Sequence, residues 1–492
     1  MNILTKNIIA NYLGKLWGFI SIFIFVRFYI ELLGIESYAI INFSTVVLGL
    51  LVFADAGLTA TLTRELSRDI SEEIKAKLVF TFERIYIVIC LLIIVAVAFS
   101  ASTIANNFLI SDNYSSFEVA YYLRIIGIGV ALQLFSTLYE GGLNGLQHQV
   151  LTNKIKVIWG VFRSGIVLIP LWFFPKLEVY FWWQVICNIV LLLVLRNNLY
   201  SRLPDNNRYF SFDILKSTSS YALAMMGIAF ISAINIQIDK LVTSKYLTLE
   251  MFGHYSIAST LAQLPIMIVS PIIVAVFPVL SMLVSQENLN STTDSFHKYS
   301  FLITMIAAPV AFCIALYSVP LVTLWTGKPE IAQTTEYVVK LLLLGGLFLC
   351  MQLTPFYLAL ANGFTKINLY SGIVGLIVII PLMIYSISQY GMIGATIPWV
   401  IVNIATFFIA GIYIVNRFLV NQTKAWLIWD IFFPLLITIL IGIVIEICLQ
   451  SIDFKYIFIL KSIFIGIISC IINVLIYNKK YPDNVLINLN AS

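Results

Sequence analysis

The sequence predicts an all-α polytopic membrane protein, and three observations lead there. Of its 492 residues, 60% are hydrophobic and only 11% charged. Mean hydropathy is +0.97. Apolar runs of roughly 20 residues recur from Asn7 to Tyr477, each long enough to cross a hydrocarbon core of about 30 Å as a helix. One soluble core has no use for so many apolar residues. In lipid, an open chain satisfies its own backbone hydrogen bonds only as helices.

In chain order the expected spans are 8–31, 38–62, 78–104, 118–143, 155–174, 178–197, 217–244, 252–284, 299–325, 336–361, 367–388, 391–415, 427–449 and 456–477, which makes 14 transmembrane helices. The first follows a short "MNILTKN" without a small-residue cleavage site, so it reads as a retained span and not a signal peptide. Loop cations test the count. One alternating set of loops and ends holds 17 lysines and arginines, from Lys6 to Lys479 and Lys480, and the other holds 4: Lys176, Lys245, Lys328 and Lys455. Cytoplasmic loops carry the excess, so the N- and C-termini are expected in the cytoplasm and the number of spans is even. The longest outer loop, "NNFLISDNYSSF" at 106–117, and the longest inner one, 196–216, are too short for a soluble domain. The work is expected inside the membrane.

The chain also echoes itself. "LGIESYA" around the first outer loop pairs with "LTLEMFG" around the fourth, Glu36 matching Glu250, and "LNGL" at 143–146 pairs with "ANGF" at 361–364. Such ordered matches are the mark of transporter halves. They divide the chain into an N-terminal lobe at 1–200 with spans 1–6, a C-terminal lobe at 201–418 with spans 7–12, and two further spans with a cytoplasmic tail at 419–492.

Charges inside spans cost several kcal/mol unless they snorkel, pair or face water, so they are the candidate functional groups. In span 7, Tyr221, Ser232, Asn235, Asp239 and Thr243 fall on one helical line, and Lys240 adjoins it. The stripe suits either a helix contact glued by polar residues or a cleft that binds a hydroxyl-rich solute. Arg27 admits an i,i+4 pair with Glu31, or a place opposite Asp239 and Lys240 across a cleft. With Arg163 it would give a cationic lining suited to a sugar phosphate or pyrophosphate, because guanidinium donates in a bidentate fork. Near the cytoplasmic end of span 2, Asp55 shares a face with Thr59 and Thr63. Arg84 reaches a similar depth in span 3 with Glu83 beside it, so a buried Asp55–Arg84 pair is expected as a fastener; proton or cation coupling at Asp55, Arg84, Glu83 and Glu140 is the other reading. Pro265, Pro271 and Pro278 are expected to bend span 8.

Several classes find no support. The three histidines, His148, His254 and His297, form no metal-ligand cluster, and the six cysteines sit in apolar runs without ligand spacing. No Gly-rich phosphate loop, catalytic constellation or nucleic-acid-binding pattern appears. No catalytic residue, metal or cofactor is therefore assigned, and the chain is not read as an enzyme.

Four stretches carry a family resemblance: "FADAGLTATLTRELS" closing span 2, "LLGIESYAIINF" before it, "NIQIDKLVTSKYLTLEMFGHYSIA" opening the second half, and "LNGLQ" after span 4. Over essentially the whole chain these resemble the polysaccharide-transporter branch of the multidrug/oligosaccharidyl-lipid/polysaccharide flippase superfamily, and within it the Wzx-type O-antigen flippases. The resemblance implies a MATE-like pair of lobes in a bacterial inner membrane. It implies a flippase that moves an undecaprenyl-pyrophosphate-linked oligosaccharide to the periplasmic leaflet by alternating access. As partners it implies the lipid-linked oligosaccharide, membrane lipids, an H+ or Na+ gradient, and the O-antigen polymerase and chain-length regulator, with no nucleic acid. Arg27, Asp55, Arg64, Asp239 and Gly253 stand at matching motif positions, whereas Ala39 replaces the usual glycine. A drug or metabolite exporter of the same superfamily, or a membrane enzyme of glycan assembly such as a polymerase or ligase, are the competing readings. The exporter would favour an acidic and aromatic cavity, and the enzyme a sizeable outer loop.

Overall fold

The computed structural model describes residues 3–204, 208–450, 452 and 456–480; at scattered helical positions, Tyr221 among them, the side chain lies outside the described set. Among the described residues the regular structure is helical, apart from one isolated bridge between Ile110 and Thr248. The helices are α1 Ile3–Leu33, α2 Ile35–Leu66, α3 Glu72–Phe108 and α4 Ser116–Gly145. Next come α5 Gln149–Phe173, α6 Leu177–Tyr200, α7 Phe212–Tyr246 and α8 Leu249–Ala262. Then follow α9 Leu264–Ser285, α10 Leu289–Leu316, α11 Ser318–Thr326 and α12 Pro329–Ala361. The chain closes with α13 Lys366–Gly394, α14 Ile397–Phe418, α15 Thr423–Cys448 and α16 Ile457–Lys480.

Among the described residues, 12 helices are long and apolar enough to cross a membrane. Helices α1 and α7, of 31 and 35 residues, lie where spans 1 and 7 are expected. Both include positions whose side chains lie outside the described set, and the count of fourteen stays an expectation.

Local chemistry sets the ends and the breaks. The Ser71 hydroxyl accepts the Ile74 amide at the start of α3, and Ser115 with Glu118 closes a capping box on α4. The expected span 252–284 is two helices meeting at Gln263. Pro265 falls in the first turn of α9, where a missing N–H leaves no bond unmade, while Pro271 and Pro278 are carried inside that helix. The helix thus breaks at the residue before this turn, and continues through Pro271 and Pro278. Helices α5, α14 and α15 each contain a π-helical turn, at 161–166, 407–411 and 426–432. In α5, carbonyls around that turn are taken up by side chains: Tyr29 donates to Ser164 at 2.6 Å, Trp183 to Phe162 at 3.0 Å and Gln184 to Arg163 at 3.2 Å.

The chain divides into two compact units, one running to Gly253 and including Trp325–Gly327, the other holding His254–Leu324 and the chain from Lys328 on. The first unit contains α1 to α7, so its limit differs from the division at residue 200 read from the repeat. The reason is that α7 packs along α2. That contact is close: a Cβ at Gly57 would overlap the Ala222 carbonyl. The same helix α2 crosses α4 at Gly141 and Gly145, spaced as a small-xxx-small pair, and Thr63 donates to the Gly141 carbonyl at 3.0 Å. In the second unit α10 is central, packing on α9, α12, α15 and α16.

Candidate functional site

The candidate residues of the first unit fall into three places. The best defined is a set of carboxylates towards the C-terminal half of α2 and the start of α3. Asp55 is 8% exposed and accepts hydrogen bonds from the Tyr86 and Thr59 hydroxyls. Its expected partner Arg84 lies elsewhere. Arg84 is exposed, with its guanidinium 4.6 Å from the centre of the Phe80 ring. The Asp55–Arg84 pair is therefore not formed, and the reason is angular. Residues 83 and 86 sit one turn apart on the inner side of α3, and residue 84 points some 100° away from 83.

Glu83, also buried, holds a second cluster. It accepts Tyr139 at 3.0 Å and Arg196 at 2.9 Å, and the Tyr200 hydroxyl as well. The two carboxylates are linked by stacked rings, since Phe135 lies 6.0 Å from Tyr86 and 5.5 Å from Tyr139, centre to centre. Glu140 completes the group by accepting Lys156 of α5 at 2.8 Å. Asp55, Glu83 and Glu140 thus tie α2, α3, α4, α5 and α6 together. Tyr86, Tyr139, Tyr200 and Arg196 escape a reading that counts only charges inside spans. The usable signal was the i,i+3 spacing of Glu83 and Tyr86.

The second place is the C-terminal half of α1. Arg27 is exposed on its span and has no carboxylate within ion-pair distance among the described residues, so the i,i+4 pair with Glu31 is absent. The turn at Gly327, where φ is +73°, approaches it: a Cβ there would sit 3.4 Å from Arg27 Nε. The neighbouring Trp325 ring lies 4.8 Å from Phe23 of α1. Arg163 is not grouped with Arg27. Its Nε donates to Gln184 of α6 at 2.5 Å and its guanidinium lies 4.8 Å from the Trp159 ring centre, which fastens the π turn of α5 to α6.

The third place is α7. Ser232 is exposed, and Asn235, Asp239 and Lys240 are half-buried; the Thr243 hydroxyl donates to the Asp239 carbonyl at 2.8 Å. The Tyr221 side chain lies outside the described residues. Arg64 is exposed in the last turn of α2.

The second unit holds a buried polar pair for which the sequence reading had no place. His297 of α10 meets Asp430 of α15 through Nδ1 at 2.5 Å, and its Nε2 lies 3.1 Å from the Gln422 amide oxygen. A lone carboxylate at 430 in an apolar span was the available sign. The pair, with Lys461 donating to Glu446 at 2.8 Å, ties the last two spans into the second unit.

Twelve described helices long and apolar enough to cross a membrane, fastened to one another by buried carboxylates, define the class: a multi-pass helical membrane protein. The fold is shared with "Lipid II flippase MurJ, inward closed conformation", at a TM-score of 0.74 and 18% identity, covering 98% of this chain and 100% of that one. It is shared also with the inward-facing conformation of a multidrug resistance MATE family transporter of the MOP superfamily, at a TM-score of 0.66 and 14% identity over 86% and 99% of the two chains. The model of the family described as "Polysaccharide biosynthesis protein" matches residues 31–329, and the chain belongs to that family. A Shigella flexneri relative, "Putative O-antigen transporter", is 22% identical over 371 residues, 75% of this chain and 87% of the relative.

Proposed function

We propose that the protein is a flippase that carries undecaprenyl-pyrophosphate-linked repeat units of O-antigen, or of a related surface polysaccharide, from the cytoplasmic to the periplasmic leaflet of a bacterial inner membrane. The observation that carries the reading is Arg27. A guanidinium held within a span and lacking a carboxylate among the described residues is costly in an apolar setting, and an anionic ligand is the group that would relieve it. A pyrophosphate offers paired oxygens in the geometry of the guanidinium fork. The half-buried Asn235, Asp239 and Lys240 with Ser232 supply hydrogen-bonding groups for sugar hydroxyls. The family match and the Shigella flexneri relative support the same substrate class.

In this mechanism the lipid tail stays in the bilayer and the polar head passes through the protein by alternating access. The fasteners at Asp55, Glu83 and Glu140 keep helices α2 to α6 a single body at the cytoplasmic end while access changes. Energy comes from substrate supply or from H+ or Na+ coupling, and both termini remain cytoplasmic.

The test is reconstitution in liposomes with a fluorescently labelled lipid-linked oligosaccharide. Leaflet transfer is expected from the wild type, a fall of about 10-fold or more from Arg27→Ala, and partial recovery from Arg27→Lys, which keeps the charge but not the fork. Absence of transfer by the wild type overturns the reading, and lengthening of the glycan in its place identifies a polymerase.

A further inference from the structure

A groove of about 540 Å³ runs between α13 and α14 within the second unit. Its walls are nearly all apolar. The two helices run antiparallel, so Lys366 and Tyr370 at the start of α13 lie level with Tyr413 near the end of α14, and Val378 lies level with Ile401 at the far end. Its floor is shallow because Gly375 faces Val402: a Cβ at Gly375 would only just touch it, at 3.5 Å.

The groove is charged at one end only. Lys366 is its one charged lining residue, and it is exposed. Arg417 stands at the same mouth, donating to the Tyr413 hydroxyl at 3.0 Å with its guanidinium 4.4 Å from the centre of the lining Phe364 ring. From Lys366 to Val378 is about 18 Å at 1.5 Å per residue, close to the roughly 15 Å depth of one bilayer leaflet. Two cations at the headgroup level above an apolar channel one leaflet deep match the two ends of a single lipid.

We propose that this groove seats an anionic glycerophospholipid of the leaflet that meets Lys366, its phosphate between Lys366 and Arg417 and one acyl chain along the channel towards Val378. The tail of a polyprenyl carrier is longer than a single leaflet, so a channel of this length fits an acyl chain better. The site is separate from Arg27 and the α7 stripe, and it does not depend on which glycan is transported.

The experiment is native mass spectrometry of the full chain in detergent, titrated with phosphatidylglycerol or with phosphatidylcholine of identical acyl chains. One phosphatidylglycerol per chain is expected to be retained in preference to phosphatidylcholine. Lys366→Ala and Arg417→Ala should each reduce that preference roughly 5-fold, about the weight of one cation at an anionic lipid surface. Both side chains are exposed, so folding should survive. Gly375→Phe fills the channel and should remove retention of both lipids, with an unchanged elution volume showing that the fold persists. Equal retention of the two lipids by the wild type, a preference unmoved by both cation variants, or displacement of phosphatidylglycerol by equimolar undecaprenyl phosphate would each overturn the proposal.

Discussion

Asp55 accepts from hydroxyls, those of Tyr86 and Thr59 among them, with no cation within ion-pair distance among the described residues, and this decides how its neighbours should respond to substitution. A hydrogen bond within a folded protein contributes about 0.5–1.5 kcal/mol net. Tyr86→Phe removes such a bond with little change of volume and is expected to lower stability by about that amount, read as a loss of thermal stability in detergent. Arg84→Ala is expected to change stability by less than about 0.5 kcal/mol, because the exposed guanidinium lies over Phe80 away from the carboxylate. Equal damage from the two substitutions would show that Arg84 matters to Asp55 after all. Glu83 gives the complementary case. Arg196→Ala should be mild, since its side chain is 44% exposed and water replaces the carboxylate. Glu83→Ala leaves the Tyr139 and Tyr200 hydroxyls without their acceptor, at about 1–3 kcal/mol for each one left unsatisfied. The depth of Asp55 was legible in the sequence because burial follows hydropathy. Its partner was not, because choosing between residues 84 and 86 needs the rotation of α3 to within a third of a turn.

At the scale of the helix, contact geometry matters more than composition. Helices α2 and α4 approach closely through Gly141 and Gly145; a Cβ at Gly145 would stand 2.8 Å from the Thr63 carbonyl oxygen and 2.9 Å from Leu66 Cβ. Those are main-chain or near-main-chain atoms that cannot swing aside. Gly145→Leu should therefore force the two helices apart, giving a polydisperse peak in size-exclusion chromatography, whereas Gly466→Leu on α16, with no atom near its missing Cβ, should leave a single peak. A sharp single peak from Gly145→Leu would mean that the crossing tolerates expansion. The presence of these helices was plain from runs of apolar residues. Their internal irregularities were not, because Pro271 and Pro278 look as disruptive on paper as Pro265, and only the break at Gln263 shows which one begins a helix. The π turns carry no residue signature at all. They become visible through Tyr29, Trp183 and Gln184, which donate to carbonyls near the turn in α5 from elsewhere in the fold.

For the whole molecule, the distribution of cations is the strongest statement the sequence makes about sidedness: with the fourteen expected spans, 17 loop lysines and arginines would fall on one side and 4 on the other. The bias arises because cytoplasmic retention of Lys and Arg is easier than their translocation, so it reports orientation without reference to any fold. The compact units do not follow the sequence halves as simply. The packing of α7 on α2 takes the first unit to Gly253, and a repeat read by matching short motifs cannot see a helix side by side with one from the other half. Orientation is open to direct measurement. Ser67, exposed after α2, lies in the cation-rich set, and Asp112, exposed in the loop between α3 and α4, in the other. In a background lacking the six native cysteines, Asp112→Cys should react with a membrane-impermeant maleimide on intact spheroplasts, and Ser67→Cys only after permeabilisation. The reverse pattern would place both termini outside, and with them the groove mouth at Lys366. Labelling of both sites in intact spheroplasts would mean an odd number of crossings between residues 67 and 112 is wrong, and that α3 does not span as a single helix.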